Sequence, residues 1–313
     1  RRRLSRVHRP GRRDPAAAPG PRDWLLETGV RIVIRSGAPP VIQNTARDLQ
    51  DYLLTSLGVS ALLVETGAPA RAVRETGPAV FLGTRRDWPA WGRGLDQPGS
   101  YRLIVEPGRA VVCGCDARGA SQGSFYLESL MNLREAPILE RQDTVRKPLF
   151  SPRMTHSGWG LDRFPDAHLN AIAHSGFDSI LVFTKGVDRT THGYLDFNDL
   201  VDRAAGFGLD VYFYSYLKSP VHPADPGAAA YYESTYGELF KACPRARGVI
   251  LVGESVEFPS RDERTTGRLK WDPAPDELPQ DKPSPGWWPC RDYPQWIDRV
   301  KRAVRRYSPQ ADI

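Results

Sequence analysis

The chain has 313 residues, 40% of them hydrophobic and 26% charged, with a formal net charge of +6. That length accommodates two domains with substantial cores, and no apolar run reaches the ~18 residues that a membrane-spanning helix needs. The charge is lopsided: residues 1–22 hold eight Arg against one Asp, so the remainder sums to −1.

Residues 1–23 are Arg, Pro, Ala and Gly without periodicity and are expected to form a disordered arm. No aromatic side chain is interleaved among these arginines to stack on bases. Neither nucleic acid nor a membrane is therefore an expected partner. No apolar signal-type segment follows the Arg-rich start, which leaves cytoplasmic and secreted compartments both open. The cysteines are Cys113, Cys115, Cys243 and Cys290. Cys113 and Cys115 alternate within a strand pattern and face the same way, which is neither a zinc-knuckle nor a CxxC spacing. The histidines are scattered, so no metal site and no cofactor is expected.

From Val30 to Arg35 an apolar run predicts a strand. Val41, Ala46, Leu49, Tyr52, Leu53 and Leu57 recur at helical spacing, with Gly58 as the stop. Val59–Glu65 and Ala79–Gly83 are further strands. Tyr101–Glu106 and Ala110–Cys115 flank Pro107-Gly108 and predict a hairpin. Asp116 is a candidate N-cap for a helix over Ala117–Leu133. This order predicts an α+β domain over 24–147 with one sheet and helices on one face. Ile138–Leu149 leads away as strand or linker.

Beyond residue 150 the pattern becomes strict β-α alternation. Strands are expected at 153–159, 179–183, 210–216 and 248–253, with helices at 165–174, 196–207, 228–243 and 293–307. Ala311-Asp312-Ile313 resembles the start of another strand. Sequential βα units imply a parallel sheet with right-handed crossovers. The fold class expected is thus α+β followed by α/β, the latter being the first half of a (β/α)8 (TIM) barrel over 148–313. Such barrels need roughly 250 residues, so the C-terminal half is expected to lie beyond this chain.

The stretch Gly248-Val-Ile-Leu-Val-Gly-Glu-Ser-Val-Glu-Phe258 is the centre of this second region. Its apolar run bounded by glycines predicts a strand buried on both faces, with Glu254 at its carboxyl end. Ligands and chemistry gather at the carboxyl ends of parallel strands.

Two segments carry a resemblance. Asp116-x-Arg118-Gly119-x-x-x-Gly123-x-x-x-Leu127-x-x-Leu130 resembles the small N-terminal domain shared by family 20 β-N-acetylhexosaminidases and the α-glucuronidases. Ser151-Pro-Arg-Met-x-x-Ser-Gly-Trp-Gly-Leu-Asp162 resembles the opening of the hexosaminidase barrel. The resemblance spans roughly residues 30–260. It implies an exo-acting glycoside hydrolase with a carbohydrate substrate. It also implies that Arg153 binds sugar hydroxyls, that His222 falls near a substrate loop, and that Glu254 is the general acid. The family carries Asp immediately before that Glu, to orient the substrate's acetamido group. Here Gly253 stands there, so the sugar expected is one without the N-acetyl group.

Glycoside hydrolysis usually needs one protonated and one ionised carboxyl group. Glu254 is the candidate acid, with Glu257 either a partner or the acid itself. Asp162, Asp188 and Asp262 lie near strand ends, but each suits a cap or a solvated loop. The second carboxylate is expected from a later strand. Trp287 and Trp288, between Pro-rich turns, and Trp159 are candidate stacking platforms for a sugar face. Lys185 and Arg153 suit sugar hydroxyls or a uronate carboxylate. The alternative is a non-catalytic carbohydrate-binding or scaffold protein with a degenerate barrel.

Overall fold

The structure is a computed structural model that describes residues 7–75, 77–156, 163–265 and 291–313, with the backbone alone described at Glu75 and Glu254. Contacts divide the chain into two compact units. Unit 1 comprises Arg1–Met154, Pro165–Asp178 and Arg203–Leu209; unit 2 comprises Thr155–Phe164, Ser179–Asp202 and Asp210–Ile313.

Unit 1 contains β1 (Asp23–Leu25), β2 (Arg31–Arg35), α1 (Pro40–Leu57), β3 (Leu62–Thr66), α2 (Pro69–Glu75), β4 (Ala79–Thr84), β5 (Tyr101–Glu106), β6 (Arg109–Gly114), α3 (Ala117–Arg134), β7 (Ile138–Glu140) and β8 (Gln142–Arg146). Six of these strands form one sheet in the order β3-β2-β4-β6-β5-β8. The first four run parallel, while β5 and β8 pair antiparallel. β1 and β7 form a separate antiparallel pair.

The expected hairpin is β5–β6, turning at Gly108 with φ 74°, a backbone conformation that glycine adopts without cost. α1 ends as expected: Gly58 is left-handed, φ 68°, and its N–H caps Leu53 and Leu54 carbonyls. One face of the sheet packs Ile32, Ile34, Val80, Leu82, Leu103 and Val112 against α1 and α3 through Leu49, Leu53, Leu127 and Met131. The opposite face is covered too. Val33, Phe81, Ile104, Val111 and Cys113 pack with Trp88 and Leu95, and with Ala72 and Val73 of α2. Helices therefore flank both faces, not one, because these strands are apolar on both sides. Cys113 is a free thiol in this second core, and burial pushes its pKa up to about 12.

α3 lies unusually close to the hairpin, and glycine permits it. Asp116 caps α3 by accepting from the Gly119 N–H at 2.7 Å. A Cβ added at Gly119 would stand 2.2 Å from the Ser100 carbonyl oxygen, and one at Gly123 would stand 3.0 Å from the Tyr101 ring. The Gly-x-x-x-Gly spacing of the sequence is thus a contact face.

Residues 7–22, expected to be disordered, instead carry specific contacts within unit 1. Arg12 N–H donates to the Ser56 carbonyl, Asp14 N–H to that of Glu135, and the His8 ring is buried beside Asp48. α4 (Asp166–His174) also belongs to unit 1, where Gln122 Nε2 donates to the Ala173 carbonyl at 3.0 Å.

The remaining strands are β9 (Met154–His156), β10 (Ser179–Thr184), the short pair β11 (Arg189–Thr190) and β12 (Gly193–Tyr194), β13 (Asp210–Ser215) and β14 (Gly248–Ile250). The helices are α5 (Phe197–Gly206), α6 (Ala228–Tyr232) and α7 (Glu238–Ala242), joined by a π-turn, and α8 (Tyr293–Tyr307). The second sheet has the order β14-β13-β10-β9, and β10, β13 and β14 pair in parallel. It is an open four-stranded sheet; among the described residues no closed barrel is present. Phe213 on one face packs against Phe197 and Phe240. Beside β14, Asp312 bridges Gly248 in parallel, and a Cβ at Gly248 would lie 2.3 Å from the Asp312 carbonyl oxygen.

Replacing Gly119 with Ala ordinarily favours a helix by up to about 1 kcal/mol. Here the added methyl meets backbone, so Gly119→Ala is expected to destabilise by about 1–3 kcal/mol, read from urea denaturation. An unchanged or raised midpoint would contradict the close approach.

Candidate functional site: the carboxyl-end rim of the parallel sheet

The strands of unit 2 deliver their exit loops to one rim. β10 ends at Thr184, whose hydroxyl donates to the Gly186 carbonyl while its own carbonyl accepts from Tyr216 N–H at 2.8 Å. β13 ends at Ser215, buried and within 2.8 Å of the Tyr236 hydroxyl. Burial pushes that phenol up to about 12, so it stays protonated at neutral pH. Lys185 follows β10 directly and is exposed, in keeping with a rim position.

β14 is shorter than expected: it stops at Ile250, and Gly253–Ser255 forms a single 3-10 turn. Glu254 is the middle residue of that turn. The loop beyond is fastened to the exit of β13. Ser219 N–H donates to the Ser255 carbonyl, and Glu257 N–H donates back to the Ser219 carbonyl, each at 2.9 Å. Ser219 and Val256 thus form a parallel bridge. The clamp continues the sheet pairing past the strand ends and sets the backbone on which Glu254 stands.

The other expected contacts divide. Glu257 is ion-paired with Lys218, whose ammonium end is exposed. His222 is 4% exposed and stacks edge-on against Phe258 at 5.1 Å. Ala224 N–H donates to its Nδ1, so Nε2 carries the hydrogen and donates to Asp292 Oδ1, both at 3.1 Å. Asp292 also accepts from the Ser260 hydroxyl at 2.6 Å. Both ring nitrogens of His222 are therefore spent on tying three loop segments together.

Arg153 is displaced as well. It precedes β9, and Asp178 precedes β10, so the pair stands at the amino ends of these strands rather than at the rim. Asp178 Oδ1 accepts from Arg153 N–H at 2.6 Å, and Oδ2 lies 3.3 Å from Arg153 Nε. Asp188 and Asp262 serve their own loops: Asp188 Oδ1 accepts from Phe197 N–H, and Asp262 pairs with Arg291 and accepts from Arg264 N–H. Trp159, Trp287, Trp288 and Asp162 lie outside the described residues.

An aromatic group not anticipated from the sequence lines the same rim. Phe183 meets Tyr214 at 5.0 Å, Tyr216 at 5.5 Å and His156 at 5.6 Å. Register explains it: Phe183 pairs with Tyr214 across β10 and β13, so both project from the same face near the strand ends. Such π-faces suit the C–H surface of a sugar ring.

No family model and no curated protein matches the sequence. Solved structures do match in fold. A mutant β-hexosaminidase of Streptomyces plicatus, in complex with its product GlcNAc, aligns at TM-score 0.60 and 15% identity over 97% of this chain. The family 20 β-N-acetylhexosaminidase of Streptomyces coelicolor aligns at TM-score 0.60 and 14% identity over 95%. A family 115 4-O-methyl-α-glucuronidase aligns at TM-score 0.53 and 12% identity over 91%. The chain spans 66%, 65% and 41% of these structures respectively. At such identity the likeness is one of fold alone, and the structures matched are glycoside hydrolases.

Removing the His222 ring is expected to cost about 1–3 kcal/mol, because buried Asp292 Oδ1 and the Ala224 N–H lose the partner they share. Hydrogen exchange should then accelerate at Ala224 and through 256–262. Unchanged exchange in His222→Ala would show that the ring does not hold these loops.

Proposed function

We propose that the protein is a glycosidase in which Glu254 acts as general acid on an exo-linked sugar. One observation supports this above the others: Glu254 occupies the single turn that follows β14, the end strand of the parallel sheet, and the loop around it is clamped to the neighbouring strand's exit. The shared fold of hexosaminidases and glucuronidases supports the same reading. Glu254 would hand its proton to the glycosidic oxygen as the C1–O bond breaks. Water would add at C1, and the proton it sheds would restore the carboxyl group. Phe183, Tyr214 and Tyr216 offer the sugar an apolar face. Lys185 on the same rim would favour a substrate carrying a carboxylate. Glu257, three residues on in the same loop, remains a candidate partner of the acid, and Trp287, Trp288 and Trp159 remain stacking candidates.

Gly253 favours a second reading. In family 20 the resemblance places an Asp there, and that Asp positions the acetamido nucleophile. A chain without it is a carbohydrate-binding scaffold if no other carboxylate serves.

The two readings separate on one substitution in the native protein. Against a panel of alkyl glycosides that includes a β-N-acetylglucosaminide and an α-glucuronide, Glu254→Gln is expected to lower kcat by about 10²–10⁴-fold. Retention of the sugar should be unchanged, because the amide keeps the side chain's volume. Equal turnover in the variant and wild type would reject Glu254 as the acid. Binding without turnover in both would favour the scaffold.

A further inference from the structure

Unit 1 holds a cluster that the proposed chemistry does not use. His8, Asp48, Glu128 and His174 each offer one ligand atom, and these atoms lie within 4.8 Å of one another. They come from four separate segments: the N-terminal residues, α1, α3 and α4. Spacing along the sequence could not reveal them, and the expectation of no metal site rested on spacing.

The geometry is that of a small polyhedron. His174 Nε2 lies 2.9 Å from Asp48 Oδ2 and 3.2 Å from Glu128 Oε2, and His8 Nε2 lies 3.2 Å from Asp48 Oδ1. Zinc with ligands at about 2.0–2.1 Å places tetrahedral neighbours roughly 3.3 Å apart. The two edges at His174 are within a few tenths of an ångström of that spacing, and His8 faces the other oxygen of Asp48. The surroundings are also those of a metal site. His174 Nδ1 sits 2.9 Å from the Asn170 carbonyl, which takes its hydrogen and leaves Nε2 as a donor pair. Asn170 Nδ2 also donates to Asp48 Oδ1 at 2.6 Å and fixes that carboxylate.

A metal-free explanation exists, and it is incomplete. With both imidazoles protonated, two cations would balance two carboxylates. Burial opposes the charge on His174, but Asp48 and Glu128 outweigh it and push its pKa up to about 10. Yet one hydrogen on Nε2 cannot serve two carboxylates. Glu128 is 2% exposed, and its Oε1 has no hydrogen bond; Asp48 Oδ2 has none either, despite its 2.9 Å contact. Buried carboxylate oxygens without a partner cost free energy, and a cation supplies what is missing.

We propose that unit 1 binds a divalent transition-metal ion, zinc foremost, through His8, Asp48, Glu128 and His174. The ion replaces two imidazolium protons and keeps the cluster neutral. Two nitrogen and two oxygen donors suit zinc, whereas calcium takes six to eight oxygens. A cavity of about 180 Å³ bordered by His8, Arg12, Tyr52, Glu128 and His174 gives access. The site would staple the N-terminal segment to α1, α3 and α4. It is structural and independent of the glycosidase reading.

The full 313-residue chain, stripped with chelator and dialysed, is titrated with zinc chloride alone. One ion per chain, submicromolar affinity and a raised Tm are expected. Cobalt(II) in its place should give visible bands of four-coordinate strength. His174→Ala and Glu128→Gln should each weaken zinc binding by at least the roughly 10–100-fold that even an outer partner costs. Should His174→Ala fail to fold, Glu128→Gln preserves volume and decides alone. His192→Ala, at an exposed position, should bind as the wild type does. Absence of saturable binding to the wild-type chain overturns the proposal. Equal binding by Glu128→Gln, meaning adsorption to surface histidines only, overturns it too.

Discussion

The parallel bridge between Ser219 and Val256 is the constraint on which the rim depends. Sheet pairing ends at Ile250 on β14 and at Ser215 on β13. Without a further tie the two exit loops would be independent. The paired hydrogen bonds at Ser219 remove that independence and hold Gly253–Ser255 against β13. The His222–Asp292–Ser260 chain repeats the arrangement one layer out. Both devices place a backbone, not a side chain. That is what a site at strand ends needs, since a carboxyl group only does useful proton transfer from a fixed origin.

Much of the fold was legible in the residues. The α1 stripe with Gly58, the hairpin over Pro107-Gly108 and the Asp116 cap each encode local geometry, and local geometry is what sequence spacing records. α2 was missed because Pro69–Glu75 is short and its apolar pair Ala72 and Val73 shows no repeat. The ordering of residues 7–22 was missed because it rests on backbone donors and a single buried ring, and neither leaves a pattern among arginines and prolines.

The site was less legible, for a related reason. Glu254 stood out because an apolar run precedes it, although β14 itself stops at Ile250. His222 looked like a ligand because it follows a strand, yet its neighbours in space, Asp292 and Ala224, exhaust it. Arg153 was marked by resemblance alone, which held no sign of its bonds to Asp178. The aromatic rim of Phe183, Tyr214 and Tyr216 needed the register of β10 on β13, which no single strand discloses. The His8, Asp48, Glu128 and His174 cluster needed four segments at once.

Gly253 gives the glycosidase reading its sharpest consequence. A general acid matters most when the departing oxygen is strongly basic and least when it leaves unaided. The most direct test therefore compares substrates with good and poor leaving groups in Glu254→Gln and the native protein. The account predicts that the variant nearly keeps its rate on an activated dinitrophenyl glycoside and loses most of it on the matching alkyl glycoside. A loss of the same size on both, or no loss on either, would contradict it.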